Sequence, residues 1–92
     1  MNLYLALVQD KEIWRMEFEW MPQIEALMFI QSVIAENLGP TWQGTVIVDK
    51  EPIFAGEDNF MFIGEAFSRP DGTIGITPRE VNWTHRREHD PD

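Results

Sequence analysis

The sequence contains no cysteine. That absence excludes a disulfide framework, thiol chemistry, and zinc or iron–sulfur sites built on thiolates. It fits a reducing compartment. Basic residues are scarce: seven Lys and Arg stand against sixteen Asp and Glu, for a net charge of −9. Proteins gain affinity for a phosphate backbone from Lys and Arg that displace counterions, so nucleic acid is a poor direct ligand for this chain. An anionic membrane surface is disfavoured for the same reason. Apolar runs are short, and none approaches the roughly 18 residues needed for a helical membrane span. The opening stretch MNLYLALVQD has neither a basic start nor a small-residue cleavage site. It reads as a strand rather than a signal peptide, and a cytoplasmic location is the expectation.

What is present is an ordinary globular composition, with 43% apolar and 25% charged residues in a chain of 92. A chain of this size builds one domain around one core. We expect a single α+β domain over residues 1–84 and a flexible C-terminal tail over 85–92. The acid is unevenly placed. Residues 1–68 hold eleven acids against three bases, and residues 69–92 hold five against four. The body of the fold therefore carries the charge, which favours a protein partner with a basic surface. Acid that merely keeps the chain soluble is the plainer reading of the same fact.

The stretch EIWRMEFEWMP, residues 12–22, alternates large apolar groups (Trp14, Met16, Phe18, Trp20) with Arg15, Glu17 and Glu19. Period-two alternation is the mark of a half-buried strand. Leu3, Leu5 and Leu7 alternate in the same way just upstream. If Asp10-Lys11 is a two-residue hairpin loop, Leu7 meets Trp14, Leu5 meets Met16 and Leu3 meets Phe18, all on one face. A slip of one residue would mix the faces, so the pattern selects its own register. Tyr4 then pairs with Glu17, and Ala6 with Arg15, on the other face.

Pro22 opens a helix expected over about 22–38, with Pro at the first helical position. Ile24, Leu27, Met28, Ile34 and Leu38 form its expected apolar stripe. Phe29, Ile30 and Val33 widen that arc. Gly39 and Pro40 close it. Strands follow at 45–49, 60–67 and 73–77, with brief pieces at 53–55 and 81–84. The turns between them are Lys50-Glu51-Pro52, GEDN (56–59) and RPDG (69–72). Pro78 should end its strand or mark an edge. The order β-β-α-β-(β)-β-β predicts a two-layer α+β sandwich, one long helix on a mainly antiparallel sheet of 5–6 strands.

No catalytic, metal or cofactor constellation emerges, and the chain is not expected to be an enzyme. His85 and His89 are four apart, but Arg86 and Arg87 between them oppose a cation and the HExxH spacing is not met. Glu17 with Glu19, Asp49 with Glu51, and Glu57 with Asp58 are adjacent acids. Paired-carboxylate catalysis needs a cleft and one raised pKa, which the outer face of a ribbon does not supply. The GEDN turn lacks the length of a calcium loop. Glycines sit in or beside strands with no helix following, so no phosphate loop is present.

Surface recognition remains. Four tryptophans in 92 residues is a high count, and Trp is enriched at binding hot spots. Trp42, in the loop PTWQG, is the candidate anchor, although a loop Trp also serves to plug the end of a core. Glu12, Glu17 and Glu19 are the candidate acidic contacts. Strand 60–67 is apolar on both faces, with Phe60 and Phe62 expected one way and Met61, Ile63 and Phe67 the other. Whichever of Phe62 and Ile63 faces outward would serve self-association, unless the fold wraps more than two layers. In size, charge and layout, but in no motif, the chain resembles small acidic phage proteins, some of which block host defence or nucleic-acid enzymes. The expectation is a small acidic cytoplasmic protein-binding protein acting by occlusion, without a cofactor. The alternative is an assembly protein that forms a homodimer through an apolar sheet face. Salt distinguishes them, because screening weakens only the first.

Overall fold

The computed structural model of the protein describes residues 1–54 and 60–83. Among these, one helix packs against a five-stranded antiparallel sheet. The elements are β1 (Asn2–Gln9), β2 (Glu12–Glu19), α1 (Gln23–Asn37), β3 (Gly44–Asp49), β4 (Phe62–Ser68) and β5 (Ile74–Val81). Across the sheet the strands run β2-β1-β3-β4-β5, so β2 and β5 are the edges.

The first hairpin has the register that its alternation demands. Leu3 faces Phe18, Leu5 faces Met16 and Leu7 faces Trp14. Gln9 pairs with Glu12, leaving Asp10-Lys11 as the loop. Asp10 takes a left-handed φ of 55°, a conformation that Asp tolerates better than most residues. The RPDG turn also forms as its residues require. Arg69 N–H donates to Thr73 O at 2.8 Å, Gly72 N–H donates to Arg69 O at 3.0 Å, and Gly72 has φ 89°.

The helix differs from expectation in its ends and in its buried face. Pro22 is the N-cap with ψ 156°, not the first helical residue, and its carbonyl accepts from Ala26 N–H at 2.9 Å. Leu38 is the C-cap, and Gly39, at φ 106°, supplies the left-handed exit. Ala26, Ile30, Val33 and Ile34 are the buried residues. Ile24 and Met28, which the expected stripe included, are 73% and 64% exposed. Apolar residues surround much of this helix, so several stripes can be drawn at helical spacing. The sheet selected one that includes Ile30 and Val33.

The core lies between helix and sheet. Leu3, Leu5, Leu7, Val46, Val48 and Phe62 from the strands meet Ala26, Ile30 and Ile34. Phe18 and Phe29 tie β2 to the helix with ring centroids 5.2 Å apart. Burying such side chains contributes about 1.5–3 kcal/mol each.

A second, smaller cluster lies on the other side of the sheet. Ala6, Ile53 and Phe60 are its buried members, with Tyr4, Val8, Ile47 and Ile63 packed around them. Residues 53 and 54 are not a strand. The connection after β3 instead lays Ile53 across the outer face. Phe60 precedes β4, so strand alternation does not govern it. It joins the outer cluster, while both Met61 and Phe62 enter the main core. The expectation that Phe60 and Phe62 share a side is therefore corrected. The two short strands expected around Pro78 are one edge strand, with a register irregularity at Ile63/Gly64. Position 84, the GEDN turn and the 85–92 tail with His85 and His89 lie outside the described residues. Among the described residues no helix is long and apolar enough to cross a membrane.

Candidate protein-binding surface

The acidic ribbon follows directly from the hairpin register. In β2, Ile13, Arg15, Glu17 and Glu19 share the face turned away from the helix, because successive side chains alternate. Glu17 and Glu19 are both exposed. Asn2 Nδ2 donates to Glu17 Oε2 at 2.7 Å, so this carboxylate is held in place rather than left to sweep the solvent. Glu12 is exposed too. It shares parity with Trp14 and stands at the hairpin end, so it extends the acidic edge without joining the outer face.

Beside Glu17 the outer face is concave. A groove of about 360 Å³ is lined by Tyr4, Leu5, Arg15, Met16, Glu17, Pro52, Ile53 and Phe54. Its walls are mainly apolar, with Arg15 and Glu17 as the charged residues of the lining. Phe54 is 62% exposed. The groove exists because the connection after β3 returns over β1 instead of leaving the sheet. Lys50 N–H donates to Asp49 Oδ1 at 2.9 Å where that turn begins.

The other candidate residues fall elsewhere. Trp42 is half-buried against the main core and its indole covers Gly44, the position of an end plug rather than a protruding anchor. Phe62 is fully buried, with Trp83 edge-on at 6.0 Å. It cannot present itself to a partner. Ile63 is the outward member of the pair, and it packs into the outer cluster beside Ile53 and Phe60. On this face Ile63 is thus covered by the chain's own connection, whereas Phe67 stays 38% exposed beneath Arg69. Farther along this face, Glu65 accepts from Thr45 Oγ1 at 3.3 Å and pairs with Arg79 at 3.0 Å.

Tyr4, Arg15, Ile53 and Phe54 were not among the sequence candidates. The available signal was the apolar pair Ile53-Phe54 following a proline, inside a stretch with no strand or helix periodicity. Among the described residues no three His, Asp or Glu gather into a possible metal site. Comparison with protein families, with characterised proteins and with solved structures finds no match for this chain.

Proposed function

We propose that this is a small protein-binding protein that acts by occlusion, laying the outer face of its β1–β2 hairpin against a basic surface of another protein. The observation that carries this reading is the juxtaposition of two exposed carboxylates, Glu17 and Glu19, with the apolar groove at Tyr4, Ile53 and Phe54. The carboxylates meet Lys or Arg of the partner, and the groove takes one apolar side chain from it. Charge of this kind accelerates encounter, and a filled apolar pocket slows departure. A protein groove that otherwise holds nucleic acid has the complementary charge. Such blocking is the behaviour of some of the small acidic phage proteins that the chain resembles in size, charge and layout. The excess of acid over base in residues 1–68 supports the same choice of partner.

The test is affinity capture with the wild type and with a Glu17→Lys/Glu19→Lys variant as baits, followed by surface plasmon resonance on the captured protein at two salt concentrations. The expected result is slower association for the variant and a salt dependence that is steep only for the wild type. Association that ignores both salt and charge reversal would reject the proposal.

A further inference from the structure

The outer edge of β2 carries a second kind of information, distinct from the face that the acidic residues occupy. Trp20 N–H donates to Met1 O at 3.0 Å, which makes residues 1 and 20 a hydrogen-bonded pair. Along an antiparallel ladder bonded and non-bonded pairs alternate. With the observed register, Phe18, Met16, Trp14 and Glu12 therefore direct their backbone groups to β1. Ile13, Arg15, Glu17 and Glu19 direct theirs outward, off the edge of the sheet. This edge is eight residues long, holds no proline and has no register irregularity. Trp14 and Met16 are only partly buried beside it. Among the described elements the helix backbone comes nearest to β5 at the opposite edge, and the helix meets β2 through the Phe29 ring on Phe18. β5 is itself blunted, since Pro78 has no N–H to offer and the ladder to β4 is irregular.

We infer that two copies of this chain pair through their β2 edges, antiparallel about a two-fold axis at Met16, to form one continuous sheet. Among two-fold axes within β2, the one at Met16 sets opposite charges across the ladder without opposing any like charges. Two-fold pairing brings outward-bonding residues opposite one another. An axis at Arg15 would set Arg15 against its own copy, and an axis at Glu17 would oppose two carboxylates at its centre even as it sets each Arg15 opposite a Glu19. With the axis at Met16, each Arg15 stands opposite the Glu17 of the other copy, twice over, on the outer face. On the helix face Trp14 meets Phe18 of the second copy, and Met16 meets its own counterpart. Opposite charges and aromatic groups directly across a ladder are stabilising, and like charges are not. The edge is thus self-complementary in its backbone groups, in the Arg15–Glu17 pairs and on its helix face, with Ile13 opposite Glu19 at either end, and a second copy of the chain is the occupant it fits. Glu17 enters both this inference and the proposed contact with a basic partner, but the two are tested apart, because the association state is read on the protein alone.

The experiment is a charge-swap series followed by analytical ultracentrifugation. The wild type should be a dimer. Arg15→Glu and Glu17→Arg should each weaken association by roughly tenfold or more, because each sets like charges opposite one another twice. Mixed together, the two variants should form a heterodimer, since every 15/17 pair then joins opposite charges. The Arg15→Glu/Glu17→Arg double variant should dimerise as the wild type does. Circular dichroism verifies that each variant is folded. A second measurement uses the absence of native cysteine: Met16→Cys should form an interchain disulfide on mild oxidation. Directly opposed non-bonded strand residues have Cα atoms about 4.5 Å apart, within disulfide reach. A monomeric wild type at high concentration would overturn the inference. So would single variants that dimerise unchanged, a mixture that stays monomeric, or a Met16→Cys protein that fails to cross-link.

Discussion

Gly44 lies directly under the Trp42 indole: a Cβ placed on Gly44 would stand 2.5 Å from Trp42 Cη2 and closer still to the carbonyl oxygen of Val8. The backbone of β1 and the plug of the core therefore converge on a single position at the start of β3. Gly44→Ala should destabilise the protein by about 1–3 kcal/mol, the usual range for overpacking. The strand backbone cannot yield as a flexible side chain would. Urea denaturation followed by Trp fluorescence measures the loss, and an unchanged midpoint would show that the indole does not sit there.

Two helix residues separate the true buried face from the one that spacing first proposes. Ile30→Ala should cost about 2–5 kcal/mol, as deletion in a packed core does. Met28→Ala, at a site 64% exposed, should stay within about 0.5 kcal/mol. Equal losses in chemical denaturation would mean that the helix is rotated about its axis from the described position.

The first hairpin contains a correctable cost. Asp10 holds φ 55°, which glycine adopts without a steric penalty. Asp10→Gly should raise stability by up to about 1 kcal/mol, most of it at the turn that fixes the β1–β2 register. Thermal unfolding reads this as a higher Tm, and a lower Tm would mean that the loop does not adopt this conformation.

The turn before β5 should carry a pH signature. Asp71 accepts from Thr73 Oγ1 at 2.6 Å and from Thr73 N–H at 3.0 Å. These bonds, the side-chain one foremost, hold its carboxyl below the ordinary value of 3.8, and nearby Arg69 lowers it further. A depressed carboxyl pKa adds stability that is present above the unfolded value and is lost as pH falls through the folded one. An NMR titration should therefore find Asp71 still ionised when exposed carboxylates have begun to protonate. Thr73→Ala should move its midpoint back upward. A wild-type midpoint at the ordinary value would contradict the turn geometry.

The hairpin was legible because two adjacent strands each alternate, and a single register satisfies both. Leu5 opposite Met16 follows from the letters alone. The helix was legible as an element but not in its orientation. Ile24, Met28, Ile30 and Val33 are all apolar, and only the shape of the sheet distinguishes them. The outer cluster was the least legible part. Ile53 lies outside any strand and Phe60 precedes the strand to which alternation assigns it, so their burial depends on the connection that lays Ile53 over the outer face. The candidate surface divides the same way. Glu17 and Glu19 could be placed from alternation, whereas the groove beside them needed the tertiary path of residues 50–54.

Pro78 limits what the molecule can build. A sheet with two receptive edges is a polymerisation unit, since each added copy offers a fresh end for the next. Here one end of the sheet has lost a backbone donor and straight pairing, while the other is long and regular. Joining through the regular end consumes it in both copies and leaves two blunt margins facing outward. The stoichiometry of assembly through β2 is thus capped at two by a residue at the far side of the sheet, and a fibre cannot grow from the pair.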